Sequence, residues 1–345
     1  MRRNLGWLPG TPIIMVLMTT LLMTGGCSLI TTYWGLRDIP VEELKTEFAD
    51  SDSEFIPVNN MMVHVRDEGS GPVLVLLHGI LSSLQTWDGW APVLSQDYRV
   101  IRLDLPGFGL TGLPGNDAGQ FNVGLVNDTV LKVLAARNVK KATFIGNSFG
   151  GYVSWHMALD HPELVERVVL IDPVSFPQKW PFVLNLVRRP PLRLFAPFTI
   201  PRYSVAIGLY QVYGDDGRLS EKTITRYHHL MLRPGNRDAM LAVLDWLESM
   251  EQPFDAEPES DIYNIKQPLM TMWGKKDAWV PYDPIGKEWE AAYPDQPHAV
   301  YADAGHIPME EIPSQTLMDL LAFLKSTDKK LGYPEAHWRA CSTGK

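Results

Sequence analysis

Apolar and polar residues alternate along this chain in two different rhythms. From residue 54 to residue 172, short apolar runs are interleaved with stretches of helical spacing. Glu54–Val58 and Met61–Arg66 read as two strands turning at Asn59-Asn60, a pair suited to a tight hairpin. Val73–Leu77 is a continuous apolar run, as expected for a strand buried on both faces. Arg99–Leu103, Ala142–Ile145 and Val168–Ile171 read as further strands, and Phe121–Arg137 and Tyr152–Leu159 as helices. This alternation predicts an α/β fold with a mostly parallel central β-sheet flanked by helices.

The rhythm stops after Asp172. Residues 173–258 hold Trp180-Pro181-Phe182, Arg189-Pro190-Pro191 and one amphipathic helix over Arg237–Met250, with no strand of the buried kind. It resumes with a strand at Pro268–Trp273, a helix near Pro284–Tyr293, a strand at His298–Tyr301 and a last helix over Pro313–Lys325. Because the sheet pattern returns, the middle block reads as a helical cap inserted into one sheet domain. The expected organisation is a core at 54–172 and 259–326, the cap at 173–258, a tether at 27–53 and a polar tail at 327–345.

The net charge of −9 argues against nucleic acid as a partner, since phosphate binding needs a basic excess. The two cysteines, Cys27 and Cys341, form no cluster with histidine, and neither a metal nor a cofactor is expected. Residues 1–26 read as an export signal. Arg2 and Arg3 precede the apolar stretch Ile13–Met23, and small residues lead up to Cys27. This arrangement resembles a bacterial lipoprotein signal, although Thr24 stands where leucine is usual. The resemblance implies lipidation at Cys27, and Ser28 after it implies outer-membrane sorting, facing the periplasm. The alternative is an uncleaved N-terminal anchor running on through Ile30.

Candidate chemistry centres on Gly146-Asn147-Ser148-Phe149-Gly150-Gly151, a G-x-S-x-G frame between a predicted strand and a predicted helix. That context is the one a nucleophilic serine on a sharp turn needs. A serine hydroxyl also needs a base, and the base needs a carboxylate. His306 follows Gly305 just past the strand His298–Tyr301, and Asp277 follows the strand Pro268–Trp273. Asp172, at the end of Val168–Ile171, is the rival acid. The other histidines lack a strand-end position after a glycine. Donors for an oxyanion are the amide of Phe149 and that of Ile80, with Leu81 as the alternative, because Gly79 lets the chain turn after Val73–Leu77. His78 reads as a structural hydrogen-bonder.

In this order, His78-Gly79, Asp104–Gly109, the Ser148 elbow, Trp273–Asp277 and Gly305-His306 resemble the cap-bearing members of the α/β-hydrolase fold family over about residues 55–325. The resemblance implies a Ser148–Asp277–His306 triad and no chemical role for Asp104–Gly109. Serine at 148 sets the chain apart from members that use an aspartate nucleophile. Ile80-Leu81-Ser82 and Ile307 depart from the glycine-rich run and the tryptophan of the carbon–carbon hydrolases. Cleavage of an apolar carboxylic ester is the expected reaction, on a small acyl or aryl substrate. Carbon–carbon cleavage of the meta-cleavage-product type, thioester hydrolysis and a non-catalytic binding role are the alternatives. The oligomeric state is left open.

Overall fold

The computed structural model describes residues 30–250 and 260–332. Eight strands form one sheet: β1 (Ser53–Val58), β2 (Met61–Gly69), β3 (Val73–Leu77), β4 (Arg99–Leu103), β5 (Ala142–Asn147), β6 (Val165–Ile171), β7 (Leu269–Gly274) and β8 (His298–Tyr301). Their spatial order is β1-β2-β4-β3-β5-β6-β7-β8. β2 runs antiparallel to both β1 and β4, and every other pair is parallel. Asn59 and Asn60 both take positive φ, at 51° and 59°, as the tight hairpin between β1 and β2 requires. β5 and β7 are buried along their whole length, which explains why they are unbroken apolar runs rather than alternating ones.

The order of the strands positions the site. The chain passes from β3 to β4 on one side and then returns to β5 on the other, so the sheet reverses direction beside β3. Ligands in open α/β sheets bind at the carboxyl ends of strands at such a reversal. Leu77 at the end of β3 is in register with Gly146 near the end of β5, so the loops holding Ile80 and Ser148 lie side by side. Gly274 pairs with Tyr301, which brings together the loops that follow β7 and β8.

The chain between β6 and β7 forms five helices among the described residues: Phe182–Arg188, Leu192–Phe195, Arg202–Val212, Glu221–Met231 and Asn236–Ser249. Only the last was legible, because the first three are short, bounded by prolines and apolar on more than one side. Residues 251–259, which include the end of the predicted cap, lie outside the described residues, as do Cys27, the predicted export signal at 1–26 and Cys341.

The structure sharpens one boundary expectation and corrects another. The segment before β1, read as a tether or a partly helical lead-in, contains a helix at Val41–Phe48 that buries Leu44 completely. Leu44 joins Ile39, Leu110, Leu230 and Leu232 in a small apolar cluster against the cap. The Ile39 amide also donates to the Leu232 carbonyl at 2.8 Å. The last helix, Pro313–Leu331, continues into what composition assigned to a polar tail. Its Asp328 is buried because it accepts from Arg167 and from the Tyr98 hydroxyl, each at 2.6 Å. A polar composition therefore concealed an ordered, buried ion pair.

Candidate active site

Ser148 sits between β5 and the helix Phe149–Asp160 with φ 53° and ψ −114°, a backbone that L-residues rarely adopt. Neighbouring contacts hold it there. Its amide donates to the Ile171 carbonyl at 2.9 Å, and its carbonyl accepts from the amides of Tyr152 and Val174 at 3.0 and 3.1 Å. A Cβ on Gly146 would run into the Gly150 carbonyl, and one on Gly150 into the Leu77 carbonyl. The two glycines are thus demanded by close approach of strand, helix and the β3 loop. Phe149 opens the helix, so its N–H is one of the donors that a helix start leaves without an internal acceptor.

The loop after β3 faces this elbow. His78 donates from Nδ1 to the Gly79 carbonyl at 2.7 Å, and its Nε2 accepts from the Leu105 amide at 3.0 Å. Burial pushes its pKa down, so the ring is neutral and serves as a brace between loops. Leu81 turns the chain with φ 60°. Ile80 and Leu81 both line the cavity above Ser148.

His306 and Asp277 are brought together by the β7–β8 register. Nδ1–H of His306 donates to Asp277 Oδ2 at 2.7 Å. The other carboxylate oxygen, Oδ1, accepts from the amides of Trp279 and Val280 at 2.7 and 3.0 Å. Both oxygens of a buried carboxylate are therefore occupied and its orientation is determined. The Trp279 ring stacks on His306 with centroids 5.8 Å apart. Ser148 and His306 line one cavity of about 570 Å³, a size suited to a small ligand.

Asp172, the rival acid, lies within the same buried trio, with ligand-type atoms of Asp172, Asp277 and His306 inside 4.8 Å of one another. Its Oδ1 accepts from the Gly274 amide at 3.0 Å rather than from His306. Burial, then the neighbouring Asp277 charge, pushes the Asp172 pKa well up and so favours its protonated form.

The remaining histidines serve other purposes. His64 is hydrogen-bonded to Asp104 at 2.8 Å, His228 donates to the Ile200 carbonyl at 3.0 Å, and His229 pairs with Glu47 at 2.8 Å. Burial lowers the pKa of His156 to about 4. Asp104 accepts from the Leu84 and Leu110 amides at 2.7 and 2.8 Å and so organises its loop.

Three residues that hold the site together escaped the sequence reading. Asn147 donates from Nδ2 to the His306 carbonyl at 2.9 Å and to the Ile171 carbonyl at 3.1 Å, tying the base loop to the elbow. Glu311 accepts from the amides of Gly305, Gly214 and Asp215 at 2.8, 3.0 and 2.9 Å, and so joins that loop to the cap. Glu310 accepts from the hydroxyls of Thr86, Tyr227 and Tyr213 at 2.7, 3.1 and 3.2 Å. The adjacent acids in Gly305–Glu311 were the available signal. Of the cap aromatics, Phe195, Tyr203 and Tyr227 line the cavity, whereas Trp180 and Tyr213 are buried without lining it.

Sheet order and elbow together define a hydrolase architecture. The chain belongs to the alpha/beta hydrolase fold family, whose model matches residues 72–313. It is 28% identical over 294 residues to the AB hydrolase superfamily protein YfhM of Bacillus subtilis, covering 79% of this chain and 98% of that protein. It is 27% identical over 276 residues to a 2-hydroxy-6-oxo-6-phenylhexa-2,4-dienoate hydrolase of Burkholderia cepacia, covering 76% and 92%. Among solved structures, a membrane phospholipase A is similar in fold with a TM-score of 0.64 at 24% identity, covering 92% of this chain and 97% of that one.

Proposed function

We propose that the protein is a serine hydrolase that cleaves an apolar carboxylic ester through an acyl-enzyme on Ser148. The observation that carries this reading is one cavity bearing both the strained serine and the His306–Asp277 pair. Ser148 Oγ attacks the acyl carbon while Nε2 of His306 takes its proton. Charge develops on the former carbonyl oxygen and is met by the amides of Phe149 and Ile80, with Leu81 as the alternative to Ile80. His306 then gives the proton to the departing alcohol. Water enters, loses a proton to the same nitrogen and releases the acid from Ser148. Asp277 keeps the proton on Nδ1, so that Nε2 is the free base, and balances the imidazolium charge.

The cavity wall favours a neutral substrate. Among the described residues that line it there is no Lys, Arg, Asp or Glu, and most are Leu, Val, Ile, Phe or Met. The dienoate that the Burkholderia cepacia relative is named for carries a carboxylate, which a buried site would have to neutralise. That absence of a cation among the lining residues supports an acyl or aryl ester over a carbon–carbon substrate. The direct test is a panel of p-nitrophenyl esters, thioesters and vinylogous diketones, run beside fluorophosphonate labelling. Hydrolysis of neutral esters and labelling at Ser148 are expected. A folded protein that neither hydrolyses esters nor takes the label sinks the reading, and preference for thioesters or diketones reassigns the reaction.

We further propose that the chain is held at a bacterial membrane through its N-terminal segment, by acylation of Cys27. Cys27→Ser is expected to move the protein from the membrane to the soluble fraction, or to block its processing. Unchanged fractionation together with unchanged mass removes the lipidation proposal.

A further inference from the structure

The mouth of the cavity is built from exposed apolar side chains. Trp34, Leu186, Leu192, Phe195, Tyr203 and Ile207 line the cavity and are also between 42% and 59% exposed. A side chain that does both stands at the opening. Helical spacing extends this surface outward. Phe182 lies one turn from Leu186 on the same helix and is 78% exposed. Tyr203, Ile207 and Tyr210 form an i, i+4, i+7 stripe on Arg202–Val212. Leu194 and Phe198 are 65% and 69% exposed. Soluble surfaces seldom carry so much contiguous apolar area unless something covers it.

Charge narrows what could cover it. Residues 173–212 contain Lys179, Arg188, Arg189, Arg193 and Arg202 and no Asp or Glu, in a chain whose net charge is −9. Their acid partners come from the two following helices: Arg193 meets Asp245 and Arg202 meets Glu221, each at 2.6 Å, and the buried Arg188 lies 3.8 Å from Glu248. An apolar surface whose exposed charges on this segment are Lys179 and Arg189 suits an anionic lipid interface, where the apolar side chains enter the headgroup boundary and these cations meet phosphate.

Chain position agrees. The Thr199 hydroxyl donates to the Trp34 carbonyl at 2.6 Å, and the Trp34 ring meets Tyr203 edge-on at 5.9 Å. Residues 30–36 thus run along the mouth. The apolar stretch Ile13–Met23 and Cys27 precede Ile30 closely in the chain. At roughly 3.5 Å per residue, a membrane attachment at Cys27 would keep Trp34 at the mouth within about 25 Å of the bilayer, and one ending at Met23 within about 40 Å.

We propose that the three helices spanning 182–212, with residues 30–36, form a docking face for an anionic lipid bilayer, opening the cavity toward the membrane. That an ester reaches Ser148 through this face rests on the hydrolase reading; the docking itself does not. The first measurement is amide exchange of the full-length wild type in vesicles of phosphatidylethanolamine and phosphatidylglycerol. Residues 182–198 are expected to exchange about tenfold more slowly than in phosphatidylcholine vesicles. The second is the full-length triple variant Phe182→Ser, Leu194→Ser, Phe198→Ser, none of which lines the cavity. It should lose about tenfold in hydrolysis of a vesicle-embedded long-chain ester, with a short soluble ester cleaved at the wild-type rate. Exchange that is equal in both kinds of vesicle overturns the proposal. Protection of the same amides by self-association without lipid also overturns it and assigns the face to a second copy. Slowed exchange in a protein that cleaves neither ester leaves the docking face standing and removes the hydrolase reading.

Discussion

Ser148→Ala is expected to lower kcat for short p-nitrophenyl esters by about a millionfold and to abolish fluorophosphonate labelling. The size of the effect follows from how the site is divided. Removing Oγ removes the atom that forms the acyl-enzyme, and His306 and Asp277 then have no proton to manage. What remains is the apolar cavity and the backbone donors, which bind substrate and leave only slow attack by water. The fold should survive the change. Ser148 is held by its own amide and carbonyl, bonded to Ile171, Tyr152 and Val174, and alanine keeps both groups. Its strained φ of 53° is shared by either side chain. Stability is therefore expected to move by less than about 0.5 kcal/mol. Steady-state kinetics and a thermal melt on the same preparation check both halves. A variant that melts like wild type and retains activity within tenfold removes Ser148 as the nucleophile.

Asp277→Asn is expected to lower kcat by about ten-thousandfold, while Asp172→Asn leaves it within a few-fold. Asp277 Oδ2 accepts from His306 Nδ1, whereas Asp172 faces the Gly274 amide. An asparagine at 277 offers an N–H to Nδ1, which drives the ring proton to Nε2 and leaves no base toward Ser148. At 172 the amide resembles the protonated acid that burial and the Asp277 charge favour by holding the Asp172 pKa well above 3.8. The sign of its linkage follows. An acid with a raised folded pKa contributes stability that is complete below the unfolded value of 3.8 and is lost as pH rises toward the folded pKa. Asp172→Asn removes that loss, so its melting temperature should gain on wild type as pH increases from 4 to 8. Melting curves across that range, with kinetics at pH 7, test the assignment. A large loss of kcat in Asp172→Asn with wild-type activity in Asp277→Asn reverses the two roles.

Much of the scaffold was readable because its causes are local. β3, β5 and β7 are apolar runs because each strand is covered on both sides. The hairpin at Asn59-Asn60 and the strand at His298–Tyr301 follow from turn chemistry and from residues in immediate succession. The cap was not readable in detail. Its helices are short, and residues such as Tyr203 and Ile207 face both cavity and surface, so no single apolar face repeats along the chain. The packing of the segment 31–53 and the end of the last helix escaped the sequence for a related reason. Leu44 and Asp328 are buried by partners far away in sequence, and composition carries no trace of those contacts.

By itself, the sequence determined the class of fold, the place of the elbow and the order in which Ser148, Asp277 and His306 occur. Those properties rest on glycines within a few residues of Ser148 and on patterns inside single strands. Only the tertiary structure decided which carboxylate bonds His306. That choice depends on β6, β7 and β8 lying in register, which aims Asp277 at Nδ1 and leaves Asp172 buried against the Gly274 amide. It also decided that Asn147 and Glu311 brace the base loop and that the cavity is walled almost entirely by apolar side chains. Hydrogen bonds and desolvation act through space, between residues that the chain itself keeps far apart.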